Sequence, residues 1–385
     1  MQDTTLISSA ARLASIPFRL CGRRSFMPPR KALILKPCCL SQAMLTTPLL
    51  AALAETYPQA RFDWALHSYA RPAVASNGRV AELIDTGRLG EPDGTWSDVR
   101  AVVERLRKEA YDTVFVPSHS SILAWIAWRA EIEQRVGLSG GGRGFAHTIA
   151  VRPPIDARNA GEQYLSLARA LGIESEASME FFPRDSDRTT ITNLLVEEMG
   201  WLGDRPLAIL HPGGGDNPVR PNEHKRWPVE RFALLANHLV RQHRATIVLA
   251  GAETDGADAK TIAGIMSGKA VNLTSRLSLG ELGALCEVAD LYVGNDTGPT
   301  HVAAAVGCAT LAIYGPSDPA RSAPFATKGR VIALGPEGGA PFKGWEETVL
   351  PAQAMEAADR LLRREAVDGA TAAPSAGEEL PDGAS

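Results

Sequence analysis

The sequence predicts an α/β protein made of two doubly wound halves that face each other across a cleft. Short apolar runs alternate with helical stretches in the lengths that parallel βαβ units require. The rhythm stops at "FFPRDSDRTT" and then starts again, which places a joint near residue 185. A chain of 385 residues is also too long for one ordinary domain.

In the first half the pattern gives a strand at 32–35 (ALIL), a helix at 42–56 and a strand at 61–66. A helix ending near 75, a short buried strand at 82–84, a helix at 97–109, a strand at 113–116 and an apolar helix at 121–129 follow. The second half reads as a helix at 190–199, a strand at 207–210, a helix at 228–242 and a strand at 246–250. It continues with helices at 257–266 and 279–288, a strand at 291–293, a helix at 299–306 and a strand at 310–314. Ligands of such sheets sit beyond the carboxyl ends of the strands, so each strand-end loop is a candidate site. A cleft between two such halves suits a two-substrate reaction.

Charged residues are 22% and hydrophobic residues 45%, an ordinary globular balance, and a net charge of −4 gives no push toward nucleic acid. Five cysteines, odd in number and without a Cys-x-x-Cys spacing, argue against a disulfide framework and for a reducing compartment. Adjacent Cys38 and Cys39 cannot both ligate one metal without strain, so they read as thiols lining a turn. No apolar run reaches the ~20 residues of a membrane span. Residues 1–30 read as an N-terminal extension rather than a signal peptide, with a short membrane-surface helix as the sharper alternative. The expected organisation is completed by a first domain at 31–184, a second at 185–365 and a disordered Ala/Gly/Pro/Ser-rich tail at 366–385.

Three loops carry candidate chemistry. In "LYVGNDTGPTHVAAAVGCATLAIYGPSDPAR" a buried strand runs into a polar turn, and Pro299 opens a helix as a first-turn proline should. Backbone N–H groups of Gly298, Thr300 and His301 would then offer an anion site suited to a diphosphate. Asp296 beside it would accept hydrogen bonds from sugar hydroxyls, or merely cap the helix; His301 could equally only pack. In "LHPGGGDNPVRPNEHKRWPVERF" a glycine turn (Gly213, Gly214) precedes Lys225 and Arg226, cations able to neutralise a leaving diphosphate without a metal. In "LAGAETDGADA", Glu253 or Asp255 could take ribose hydroxyls, with helix capping by Asp255 as the competing reading. The Asp-x-Asp of "RDSDR" reads as a cap and linker. "SGGGRGF" lacks the Lys-Ser/Thr of a P-loop and reads as a loop over the cleft.

These motifs, with the opening "ALILKPCCLSQAMLTTPLLAALAETYPQARFDW", resemble glycosyltransferase family 9, whose best-known members are ADP-heptose:lipopolysaccharide heptosyltransferases. The resemblance runs from about residue 31 to 363. It implies a GT-B fold of two Rossmann-like domains, with the nucleotide sugar mainly on the second and the acceptor mainly on the first. No metal or cofactor is expected, and the anomeric centre is inverted. The last helix, at about 352–364, would return toward the first domain. By position, Asp296 would contact the donor sugar, Thr297, Gly298, Thr300 and His301 the diphosphate, and Lys225 the phosphate or sugar, with Gly213, Gly214 and Arg226 beside it and Glu253 at the adenosine. The partners implied are a nucleotide sugar and a cell-surface glycan or glycolipid, met in the cytoplasm or at the cytoplasmic membrane face.

One departure stands out. The family's first loop ordinarily ends in Leu-Gly-Asp, whose Asp is the expected general base; here it is Leu40-Ser41-Gln42. A neutral amide is no base near pH 7, and base assistance contributes ~10²–10⁴ in rate. His67, at the end of the second strand, or another carboxylate could replace it, or the acceptor could be unusually acidic. The alternative is a protein that binds a nucleotide sugar and transfers it poorly or not at all.

Overall fold

The computed structural model describes residues 25–91, 93–215, 223–325, 330–336 and 340–363. Most of the N-terminal extension and the tail at 366–385 lie outside these residues. The first domain contains β1 (Lys31–Leu35), α1 (Leu40–Met44), α2 (Thr47–Thr56), β2 (Arg61–Leu66), β3 (Glu82–Asp85), α3 (Trp96–Lys108), β4 (Thr113–Val116), α4 (Ser121–Arg129), β5 (Gln134–Leu138), β6 (Ile149–Val151) and α5 (Ala160–Arg169). The second contains α6 (Asp185–Asn193), β7 (Leu207–His211), α7 (Val229–His243), β8 (Thr246–Leu249), α8 (Gly256–Ile265), β9 (Ala270–Asn272), α9 (Leu279–Val288), β10 (Leu291–Asn295), α10 (Gly298–Ala305), β11 (Thr310–Ile313), α11 (Pro319–Ser322), β12 (Val331–Leu334) and α12 (Pro351–Leu362).

Both sheets are parallel and six-stranded, with orders β3-β2-β1-β4-β5-β6 and β12-β11-β10-β7-β8-β9. The second order repeats the first once each domain's strands are renumbered from one. In each sheet the order reverses beside the first strand, between β1 and β4 and between β7 and β10. Helices cover both faces, so the central strands are buried throughout and read as continuous apolar runs, as in β4 (TVFV) and β7 (LAILH).

Three expectations need correction. Residues 25–30 are not a loose end: Phe26 packs near Tyr57 and Phe115, and the Met27 N–H donates to Gln134 Oε1 at 2.7 Å. Helix α12 does not return to the first domain. Its apolar face, Ala354, Ala357, Ala358 and Leu361, lies in the same core cluster as Phe232 and Leu239 of α7 and Leu311 of β11. The glycine-rich 139–145 is a tight turn bridged between Gly140 and Arg143, and none of its residues lines the cleft cavity. Its Gly144 leaves room for half-buried His147, whose two ring nitrogens are covered, since a Cβ there would stand 2.8 Å from the ring. Asp187 of "RDSDR" accepts from the Arg184 N–H at 2.9 Å and so caps α6. Among the described residues no helix is long and apolar enough to cross a membrane.

Candidate active site

A cavity of about 530 Å³ opens between the carboxyl ends of the two sheets, at both points of strand-order reversal. Its second-domain wall includes Gly214, Gly215, Lys225, Asp296, Thr297 and Gly298. The first-domain wall includes Lys36, Cys38, Cys39, Ser41, Gln42 and Ser118.

The second-domain wall is built by a polar turn that the fold pins from behind. Asn295, the last residue of β10, is fully buried; its amide donates to the Pro212 and Gly213 carbonyls at 2.8 and 3.0 Å and accepts from the Trp227 N–H at 3.1 Å. This one side chain locks the glycine turn after β7 and the Lys225 segment to the end of β10. Thr297 holds the position before α10 in extended conformation without capping the helix by its side chain. The helix start therefore keeps its N–H groups for other partners, with Pro299 in the first turn. Asp296 is 6% exposed and pairs with Lys225, Nζ to Oδ2 at 2.6 Å. A Cβ on Gly298 would overlap Leu40 of α1, so this glycine is where the two domains touch most closely.

Of the other expected donor-side residues, Gly214 lines the cavity but Gly213, Arg226, Glu253, Thr300 and His301 do not. Asp255 fills the space where a Gly213 side chain would stand. Arg226 is held by two carboxylates, Asp255 Oδ1 and Asp258 Oδ2, each at 2.8 Å, so its charge is already balanced. Asp255 also accepts from the Ala252 N–H at 2.9 Å, the capping reading of that residue, while Glu253 is exposed. Thr300 turns its hydroxyl back to the Asn295 carbonyl at 2.5 Å. His301 is wholly buried with neither ring nitrogen partnered, and burial pushes its pKa down to about 4, with Lys225 adding to the depression and Asp296 opposing it. Its ring lies away from the cavity, while its backbone belongs to the first turn of α10.

On the first-domain wall the sequence reading missed Lys36 and Tyr164. Lys36 follows β1 directly, a cation at the end of an apolar strand and so a legible signal; Tyr164 lies on α5, in a stretch without a distinctive pattern. Lys36 Nζ donates to the Pro117 carbonyl and to Tyr164 Oη, both at 2.8 Å. Since Tyr164 Oη accepts from the ammonium, its own proton goes to Gln42 Oε1, with which it is in contact. That chain fixes the amide orientation and leaves the Gln42 NH₂ as its free donor. Ser41 lines the cavity beside it. His67 does not: Nδ1 accepts from the Tyr69 N–H at 3.0 Å and Nε2 meets Glu91 Oε1 at 2.7 Å, so both nitrogens are used. Cys38 and Cys39, expected as free thiols, are joined to each other as a disulfide at the cavity wall. Among the described residues, Asp296 is the one carboxylate that lines the cavity.

Comparison with known proteins bears on this geometry. The sequence profile described as Glycosyltransferase family 9 (heptosyltransferase) matches residues 99–348. Lipopolysaccharide heptosyltransferase 2 of Salmonella typhimurium is 28% identical over 312 residues, 79% of this chain and 88% of that protein. Among solved structures, a glycosyl transferase family 9 protein from Veillonella parvula superposes with a TM-score of 0.72 at 22% identity, covering 87% of this chain and 98% of that one. E. coli ADP-heptose lps heptosyltransferase II superposes with a TM-score of 0.67 at 24% identity, covering 87% and 99%.

Proposed function

Because the chain belongs to glycosyltransferase family 9, we propose that it moves a heptose-like sugar from ADP-heptose to a hydroxyl of a lipopolysaccharide-core-like acceptor, with inversion and without a metal. The named relatives support the sugar and the acceptor class. The observation that carries the reading is the pairing of two unlike walls across one cavity: a cation and an uncapped helix start opposite a neutral polar turn.

A single displacement needs a stabilised leaving group and a base, and no nucleophile from the protein. Lys225 and the N–H groups at the start of α10 stabilise the departing diphosphate electrostatically. Asp296 holds the donor sugar through its hydroxyls. Gln42 orients the acceptor hydroxyl by donating to it, because its oxygen is committed to Tyr164. With an amide at the usual base position and His67 turned away, Asp296 is left to receive the acceptor's proton as the new glycosidic bond forms. A lipid-linked acceptor would bring the enzyme to the cytoplasmic face of the inner membrane as a peripheral protein.

The test is consumption of ADP-heptose, with and without a heptose-bearing core acceptor and without added magnesium. Acceptor-dependent release of ADP is expected, falling by about 10² or more in Asp296→Asn. The neutral Gln42 amide favours one other reading, a nucleotide-sugar-binding protein with weak or no transfer. Tight donor binding with no acceptor-dependent turnover would select it.

A further inference from the structure

The second domain carries a cluster of coordinating side chains that takes no part in the cavity. His238 and His243, in the last turns of α7, both direct Nε2 at one oxygen of Asp359 on α12, at 2.8 and 2.7 Å from Oδ1. All three side chains are about one-fifth exposed, and their three donor atoms lie within 4.8 Å of one another. None of them lines the cavity.

We infer that His238, His243 and Asp359 form a zinc site that staples the last helix to α7. Two imidazole nitrogens and a carboxylate oxygen are a donor set that suits Zn²⁺, leaving one coordination position open to solvent. Tetrahedral zinc, with bonds of about 2.0–2.1 Å, sets its donors about 3.3 Å apart. The nitrogen–oxygen pairs need to spread by roughly half an ångström to reach that spacing, which small side-chain rotations supply. Without metal the same groups make a hydrogen-bonded clasp in which both Nε2–H groups donate to Asp359. Zinc would take the two Nε2 lone pairs, each neutral ring keeping its proton on Nδ1 instead of Nε2 and any imidazolium releasing one proton to solvent. The surroundings suit a structural role, since Ala354, Ala357, Ala358 and Leu361 on the buried face of α12 already pack in one core with Phe232 and Leu239 of α7. The metal would fix the exposed side of that same contact. The site is independent of the transfer reaction, and so is its test.

The experiment titrates chelator-stripped full-length protein with Zn²⁺ against a chromophoric chelator, and records the Co²⁺ spectrum and the melting temperature with and without zinc. The expected result is one equivalent of zinc per chain, a raised melting temperature, and cobalt d–d bands without a thiolate charge-transfer band. Asp359→Asn and His243→Gln keep a hydrogen-bonding group at each position and should each weaken zinc binding about tenfold or more. Absence of stoichiometric zinc, binding unchanged in both variants, or a thiolate band placing the metal on a free cysteine such as Cys286 or Cys308 would overturn the site. Should the variants fold poorly, the cobalt spectrum of the natural chain decides the matter alone.

Discussion

At the scale of single residues, the proposed chemistry turns on position 42. Aspartate is one methylene shorter than glutamine, so its carboxylate would stand back from Tyr164 Oη, which Gln42 now contacts, and nearer the turn backbone. Gln42→Asp is expected to raise the transfer rate about tenfold or more by returning a base to its usual place; a lower rate would show that the turn is built around the amide's donor and would count against Asp296 as the working base. Buried histidines make a second prediction. Burial pushes His301 down to about 4 and His147 to about 3, the latter also beside Arg135. The unfolded chain therefore takes up these protons first. Stability is full above the ordinary histidine value of about 6.5 and is lost as pH falls toward 4 and then 3, at about 1.4 kcal/mol per pH unit for each ring. Urea midpoints at pH 7 and pH 5 should diverge less in His147→Leu than in the natural protein. What the sequence could show at this scale was residue type and loop position, which sufficed to bring Lys225, Asp296, Thr297 and Gln42 to the cavity wall. It could not show that Arg226 is balanced by Asp255 and Asp258, or that the His301 ring turns inward, because both facts depend on side chains from distant segments.

At the scale of elements, α10 and α1 are the pair that matters. Gly298 at the head of α10 is pressed against Leu40 at the head of α1, without room for a methyl group. Gly298→Ala should cost about 1–3 kcal/mol through overpacking and should lower transfer disproportionately, because the added carbon forces the donor and acceptor walls apart. Leu40→Ala in the same chain should recover part of both losses, and urea denaturation with parallel rate measurements would show whether it does. Long, strongly patterned elements were legible beforehand: α9 (Leu279–Val288) and β2 (Arg61–Leu66) match the expected bounds. The omissions, β5, β6, β9, β12, α5 and the four-residue α11, have a physical cause. Three-residue strands such as IAV and AVN carry no period, and QRVGL mixes a charge and a glycine into a strand whose other face is buried. Only pairing makes strands of them, QRVGL with β4, IAV with β5 and AVN with β8.

At the scale of the molecule, two domains of like topology meet at the cavity, along α10, whose Val302, Ala304 and Ala305 join the apolar core of the first domain, and at one flank. There Asn159 donates to the Ala323 carbonyl at 2.9 Å, and Arg158 pairs with Asp318 at 3.0 Å. The ion pair is exposed on its arginine side and adds at most about 1 kcal/mol. Because it binds only the folded state, ligand should still add visibly to stability: if the proposed donor is right, ADP or ADP-heptose at ~100 times Kd should add about 2.7 kcal/mol, read as a rise in melting temperature, and Lys225→Ala should abolish most of it. The doubled architecture was plain from the restart of the strand–helix rhythm after residue 185. The destination of α12 was not, because an amphipathic helix declares that it has a partner without declaring which. Its choice has a mechanical result. With α12 retained in its own domain, the described chain passes between the halves once, through 182–184, where Phe182 is 40% exposed and the Arg184 side chain 71%. The halves are tethered by a single strap, so a nick there would turn one enzyme into two polypeptides whose reunion depends on affinity alone.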